Sequence, residues 1–126
     1  MRTHGFTRRA AAALVLTLAL GAPGVLAHHG WSGYLDDDFV LTGVVEEISL
    51  GNPHGHLTVR SEGEIWDVVL GPPARNERAG IMDGVIKVGD TVTAHGHRHR
   101  DPERLEMKSE RIEVGAQVYD IYPDRR

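Results

Sequence analysis

His54-Gly-His-Leu-Thr-Val-Arg60, Ser61-Glu-Gly63, Glu64-Ile-Trp-Asp-Val-Val-Leu70 and Gly71-Pro-Pro-Ala-Arg-Asn-Glu-Arg-Ala-Gly80 follow one another without a break, and their order decides the fold. From His54 to Arg60 the residues alternate, with Leu57 and Val59 on one face of a strand and His54, His56, Thr58 and Arg60 on the other. Ser61-Glu62-Gly63 supplies a hairpin turn, and Glu64 to Leu70 is the returning strand. Gly71-Pro72-Pro73 then stops the sheet. Proline at the head of a helix gives up an amide that would have no partner there, so Ala74 to Ala79 can form a short helix, with Gly80 as its stop.

Working outward, Phe39 to Leu50 is rich in β-branched and apolar residues and reads as a first strand, following Trp31 and the acidic triplet Asp36-Asp37-Asp38. Gly51-Asn52-Pro53 ends it, because proline cannot donate to a ladder. On the other side, Val85 to Val88 leads into the turn Gly89-Asp90, and Thr91 to His99 alternates, with Val92 and Ala94 opposite His95, His97 and His99. Leu105 to Val114 is a fifth strand and Gln117 to Tyr122 a candidate sixth. Three strands, a helix and two or three further strands imply a mainly β fold. We expect a small five- to six-stranded OB-like barrel with one short helix between strands 3 and 4. A small open sandwich would use the same strands.

The first 27 residues read as a cleaved signal peptide: Arg2, Arg8 and Arg9, an apolar run from Ala10 to Leu20, the breakers Gly21 to Gly24, then Val25-Leu26-Ala27. That apolar run falls well short of the roughly 20 residues a membrane helix needs. The expectation is therefore a periplasmic protein without membrane insertion after cleavage, starting at His28, with residues 28–126 as a single domain. This part has eleven basic against 18 acidic residues, a charge of −7 with neutral histidines, which argues against a nucleic-acid partner. Cysteine is absent, so thiolate chemistry is excluded. No catalytic motif of serine-hydrolase, phosphate-loop or zinc-protease type occurs, and we expect no enzyme.

Seven of the eight histidines lie in the exported part, as His28-His29, His54-x-His56 and His95-x-His97-x-His99. Histidines two apart on a strand share a face and can take two corners of one metal site. His95 and His99 are about 13 Å apart along an extended strand, too far to share one ion directly. A chain beginning at His28 would add its α-amine and the rings of His28 and His29. Imidazole and amine without thiolate suit copper(II) first and zinc second. The expected function is sequestration or transfer of that ion through His28, His29, His54, His56, His95, His97 and His99. Copper and zinc are the candidate cofactors, and an exported or membrane protein is the candidate partner. The rival reading is a non-catalytic interaction or accessory domain of an exported enzyme complex, acting through the surface around Trp31 or Trp66.

Ala27-His-His29, Leu41-Thr-Gly-x-Val45, Asn52-Pro-His54, Trp66 with Leu70-Gly-x-Pro73, Arg78-Ala-Gly80 and Val88-Gly-Asp-x-Val92 together resemble a family of small exported bacterial proteins of unknown function. The resemblance implies export and a small β fold, and it carries no activity. His28, His29 and His54 fall where that pattern has histidines; His56, His95, His97 and His99 lie outside it.

Overall fold

The computed structural model describes residues 30–125, so the signal-peptide reading of residues 1–27 and the candidate ligands His28 and His29 lie outside the described residues. In chain order the elements are β1 (Tyr34–Ser49), β2 (His56–Ser61), β3 (Glu64–Val69), α1 (Pro73–Ala79), β4 (Thr91–His99), β5 (Glu106–Val114) and β6 (Gln117–Asp120). The main departure from expectation is β1. It has 16 residues and takes in Asp36, Asp37 and Asp38, which the sequence placed ahead of the strand. All three are exposed, so a carboxylate costs the strand little there. Fully extended, β1 would run about 50 Å, longer than so small a fold can use in one direction. Irregularities between Tyr34 and Asp38 and between Val45 and Glu47 bend it. As a result β1 serves two neighbours, β4 along Tyr34 to Val44 and β2 along Val44 to Ser49.

The other boundaries shift for local reasons. β2 begins at His56, two residues later than the alternation suggested, although Gly55 still exchanges backbone hydrogen bonds with Leu70 and Gly71. Val85 to Val88 forms no strand. Instead Gly89 N–H donates to Val45 O and Val45 N–H to Asp90 O, so this segment clips the middle of β1.

Strands β2, β1, β4 and β5 pair antiparallel in that order, and β3 pairs antiparallel with β2. A parallel pairing of Asp67–Val69 with Glu106–Lys108 joins β3 to β5 and closes the circuit, an OB-like arrangement that leaves few free edges. β6 adds antiparallel to the far end of β5. Within the circuit Leu57, Leu70, Met107 and Ile112 are fully buried. Tight coiling needs Gly96, which faces the bulge of β5: a Cβ there would run into the Lys108 carbonyl.

The helix sits between β3 and β4 as expected. Its Pro73 occupies the first turn, and Gly80, at φ 95°, ends it in the left-handed conformation that glycine tolerates. Asn76 fixes it to the sheet. This residue is 1 % exposed, and its side-chain amide both donates to Gly71 O at 2.7 Å and accepts from Gly71 N–H at 2.8 Å. The same side chain leaves no room for a Cβ at Gly55, so the backbone between His54 and His56 lies hard against the helix.

Candidate functional site

Alternation along β5 sends Met107 and Ser109 into the core and Glu106 and Lys108 to the opposite, outer face, yet both of the latter are buried, at 9 % and 3 % exposed. Two terminal segments cover Lys108. Lys108 Nζ donates to the Gly30 carbonyl at 2.7 Å and lies 4.8 Å from the Trp31 ring centroid. From the C-terminal side Tyr122 meets Trp31 edge-on at 5.0 Å and the Arg125 guanidinium lies 4.0 Å from the Trp31 centroid. Stacking of cations and rings ties both ends of the described chain to the outside of β5. Burial, reinforced by Arg125, lowers the Lys108 pKa.

Around this covered patch lie two groups of histidines. The first is on the β2 side. In the hairpin Thr58 is opposite Asp67, so His56 and Asp67 are diagonal neighbours, within reach of each other. His56 Nδ1 hydrogen-bonds Asp67 Oδ1 at 2.8 Å. A carboxylate can only accept, so in the neutral ring the proton sits on Nδ1 and the lone pair is left on Nε2. A histidine prepared for a metal by a carboxylate has the same arrangement. His54, just before β2, forms no hydrogen bond to any described residue. Desolvation lowers its pKa, and the charges of Lys108 and His56 lower it further, so its ring is held neutral.

Tyr34 extends this group. Its hydroxyl donates to Glu106 Oε1 at 2.6 Å, and Glu106 also pairs with Arg104. Burial and the neighbouring carboxylates Glu106 and Asp67 raise the phenol pKa, so it stays a donor.

The second group is the β4 row. His95, His97 and His99 share the outer face as expected, but each ring has its own neighbours. His97, only 8 % exposed at its side chain, lies between Asp37 O at 3.1 Å on Nδ1 and Glu110 Oε1 at 2.8 Å on Nε2. A carbonyl and a carboxylate can both only accept, so each ring nitrogen of His97 is the donor in its bond. His99 Nδ1 accepts from Asp101 N–H at 3.0 Å, which puts the proton of the neutral ring on Nε2. His95 Nε2 lies 3.2 Å from Glu113 Oε1 but off the line of a hydrogen bond, and the atom is buried without another partner.

Among the described residues no group of three or more histidine, aspartate or glutamate side chains is placed to hold one metal ion. The residues that organise these rings, Asp67, Glu106, Lys108 and Glu110, were not singled out from sequence. Asp67 was within reach of it: a two-residue turn at Glu62-Gly63 pairs Ser61 with Glu64, and counting back along the hairpin brings Asp67 beside His56. Glu110 and Lys108 gave no such signal, since their partners come from β4 and both terminal segments.

A model of a family of unknown function, DUF6152, matches residues 15–109. The chain belongs to that family. No curated protein matches this DUF6152 chain significantly. Among solved structures it is similar to a chain of the S. pombe Stn1–Ten1 complex, at 19 % identity and a TM-score of 0.49. The similarity covers 64 % of the DUF6152 chain and spans 59 % of that one. No helix among its described residues is long and apolar enough to cross a membrane.

Proposed function

We propose that this DUF6152 protein is an exported, periplasmic metal-binding protein that takes copper(II), and zinc in second place, for sequestration or transfer without catalysis. The observation that carries the proposal is the pair on the β2 side: His56 oriented by Asp67 at 2.8 Å, next to a neutral His54 that no described residue engages. Two open imidazole nitrogens are half of a four-coordinate site. The remaining ligands are His28, with its α-amine, and His29. The described chain supports that supply. Gly30 is anchored 2.7 Å from Lys108 Nζ, and Lys108 is near enough to His54 for its charge to lower the His54 pKa. Two residues span at most about 7 Å, so His28 and His29 start within a short reach of that anchor.

The β4 row takes no part in this proposal, because using His97 or His99 as a ligand would first break the bonds that hold them. The site depends on cleavage after Ala27, which frees the amine. Mass spectrometry of the exported protein is expected to give His28 as the first residue. Calorimetric titration of residues 28–126 with copper(II) and zinc is expected to show one saturable site with copper(II) tighter. Weak, non-stoichiometric uptake of both ions would overturn the proposal.

A further inference from the structure

Half of β1 has no neighbour on one side. β2 pairs with it only from Val44 to Ser49 and touches it no further than Thr42 and Gly43, so the stretch from Tyr34 to Leu41 pairs with β4 alone. The direction of the backbone groups follows from two contacts. Val45 exchanges hydrogen bonds with Gly89 and Asp90 on the β4 side, so odd-numbered residues turn their N–H and C=O that way. Thr42 O accepts from Ser61 Oγ at 2.7 Å on the opposite side. Asp38 and Val40, in phase with Thr42, therefore present N–H and C=O away from β4, where no described residue pairs with them.

Below this edge is a groove of about 420 Å³ between β1 and β3. Phe39 and Trp66, 5.3 Å apart between ring centroids, form its floor, with Arg98 stacked 4.9 Å from the Trp66 centroid. Val40 on β1 and Ile65 on β3 remain 54 % and 41 % exposed. Glu62 and Glu64 line it, and Asp36, Asp37 and Asp38 precede it along β1; all five are exposed and none has an ion pair among the described residues. The one cation in the groove, Arg98, is turned onto the rings and donates to Pro102 O at 3.1 Å.

We propose that the free edge at Asp38–Val40 and the adjoining groove bind an extended, lysine- or arginine-bearing segment of a partner protein as an added strand. Unpaired amides and carbonyls supply the ladder, as in other cases of strand addition. The apolar floor takes alternate side chains, and the carboxylates select for cations. The same carboxylates argue against the other occupants. A second copy pairing edge to edge would set its own Asp36–Asp38 against this one, an arrangement that blocks self-association of edge strands. A nucleic acid would meet the same repulsion. This inference is independent of the metal site, which lies on the β2 side.

The test is fluorescence anisotropy of a short dye-labelled peptide of alternating lysine and valine with residues 28–126 at low salt, with a glutamate–valine peptide as control. Saturable binding of the lysine peptide alone is expected. Changing Asp36, Asp37 and Asp38 to Asn should weaken it roughly tenfold, an effect that shrinks in high salt. Val40→Pro removes an amide that no described residue uses, so it should abolish binding while the circular dichroism spectrum stays unchanged. If Val40→Pro unfolds the protein, the Asn variant decides. Equal binding of both peptides, or lysine-peptide binding unaltered in the Asn variant, would overturn the proposal. So would a dimer in sedimentation that the Asn variant tightens, because the edge would then belong to a second copy.

Discussion

His54-Gly-His56 and His95-Gly-His97 carry the same three residue types in the same order, yet the fold treats them oppositely. On β4 the rings are tied up: His97 between Asp37 and Glu110, His99 by Asp101, and His95 close against Glu113. On the β2 side Asp67 orients one ring and nothing described engages the other. Spacing alone says only that two rings share a face. What stands on the neighbouring strands determines whether they are used inside the protein or left open, and here β5 supplies carboxylates to β4 while β3 supplies a single one to β2.

The largest expected effect separates the two motifs directly. Replacing His54 and His56 together by Ala should abolish stoichiometric copper(II) binding in calorimetry and leave the melting temperature nearly unchanged, since both side chains are partly exposed. His97→Ala should do the reverse. It leaves Glu110 with Arg125 alone and removes an edge contact to Trp31, 5.7 Å between centroids. Loss of two largely buried hydrogen bonds costs about 2–3 kcal/mol. For a domain of this size that is a fall in melting temperature of roughly 10–20 °C by calorimetry. Metal uptake lost in His97→Ala but kept in the double β2 variant would invert the comparison.

Asp67→Ala sharpens it. Loss of the carboxylate behind a ligand typically weakens metal affinity about 10–100-fold, and isothermal titration should show that drop with little change in stability. His95→Ala is expected to change stability by less than about 1 kcal/mol in urea unfolding, because its contact with Glu113 is partly exposed and poorly aligned.

The smallest effect is on titration. The folded His54 pKa is lowered, so the unfolded chain binds the proton more readily. The stabilisation this brings is present above the unfolded histidine value and fades as pH falls through the folded one. NMR titration should place the His54 ring below the usual histidine midpoint, and His54→Gln should slightly flatten the dependence of stability on pH in that window. A midpoint at or above the usual value would mean that the surroundings of His54 do not hold it neutral.

Alternation, turn residues and the Gly71-Pro72-Pro73 break were enough to read six strands and a helix in order, because each is a local preference written within a few residues. The same local signals misjudged the start of β1, where exposed aspartates sit in a strand held by its partner β4 rather than by their own preference. They also placed His95, His97 and His99 on one strand, where alternation gives them a common face. Chain order could not show that Trp31, Lys108, Tyr122 and Arg125 meet over β5, or that Glu110 reaches His97. The first meeting joins residues far apart in sequence, and the second depends on the irregularity that leaves Glu110 as an extra residue in the β4–β5 register. Sequence thus determined the elements and the ligand chemistry on offer. Only the tertiary structure decided which imidazoles are already engaged and which remain open, because a hydrogen-bond partner is set by proximity in space.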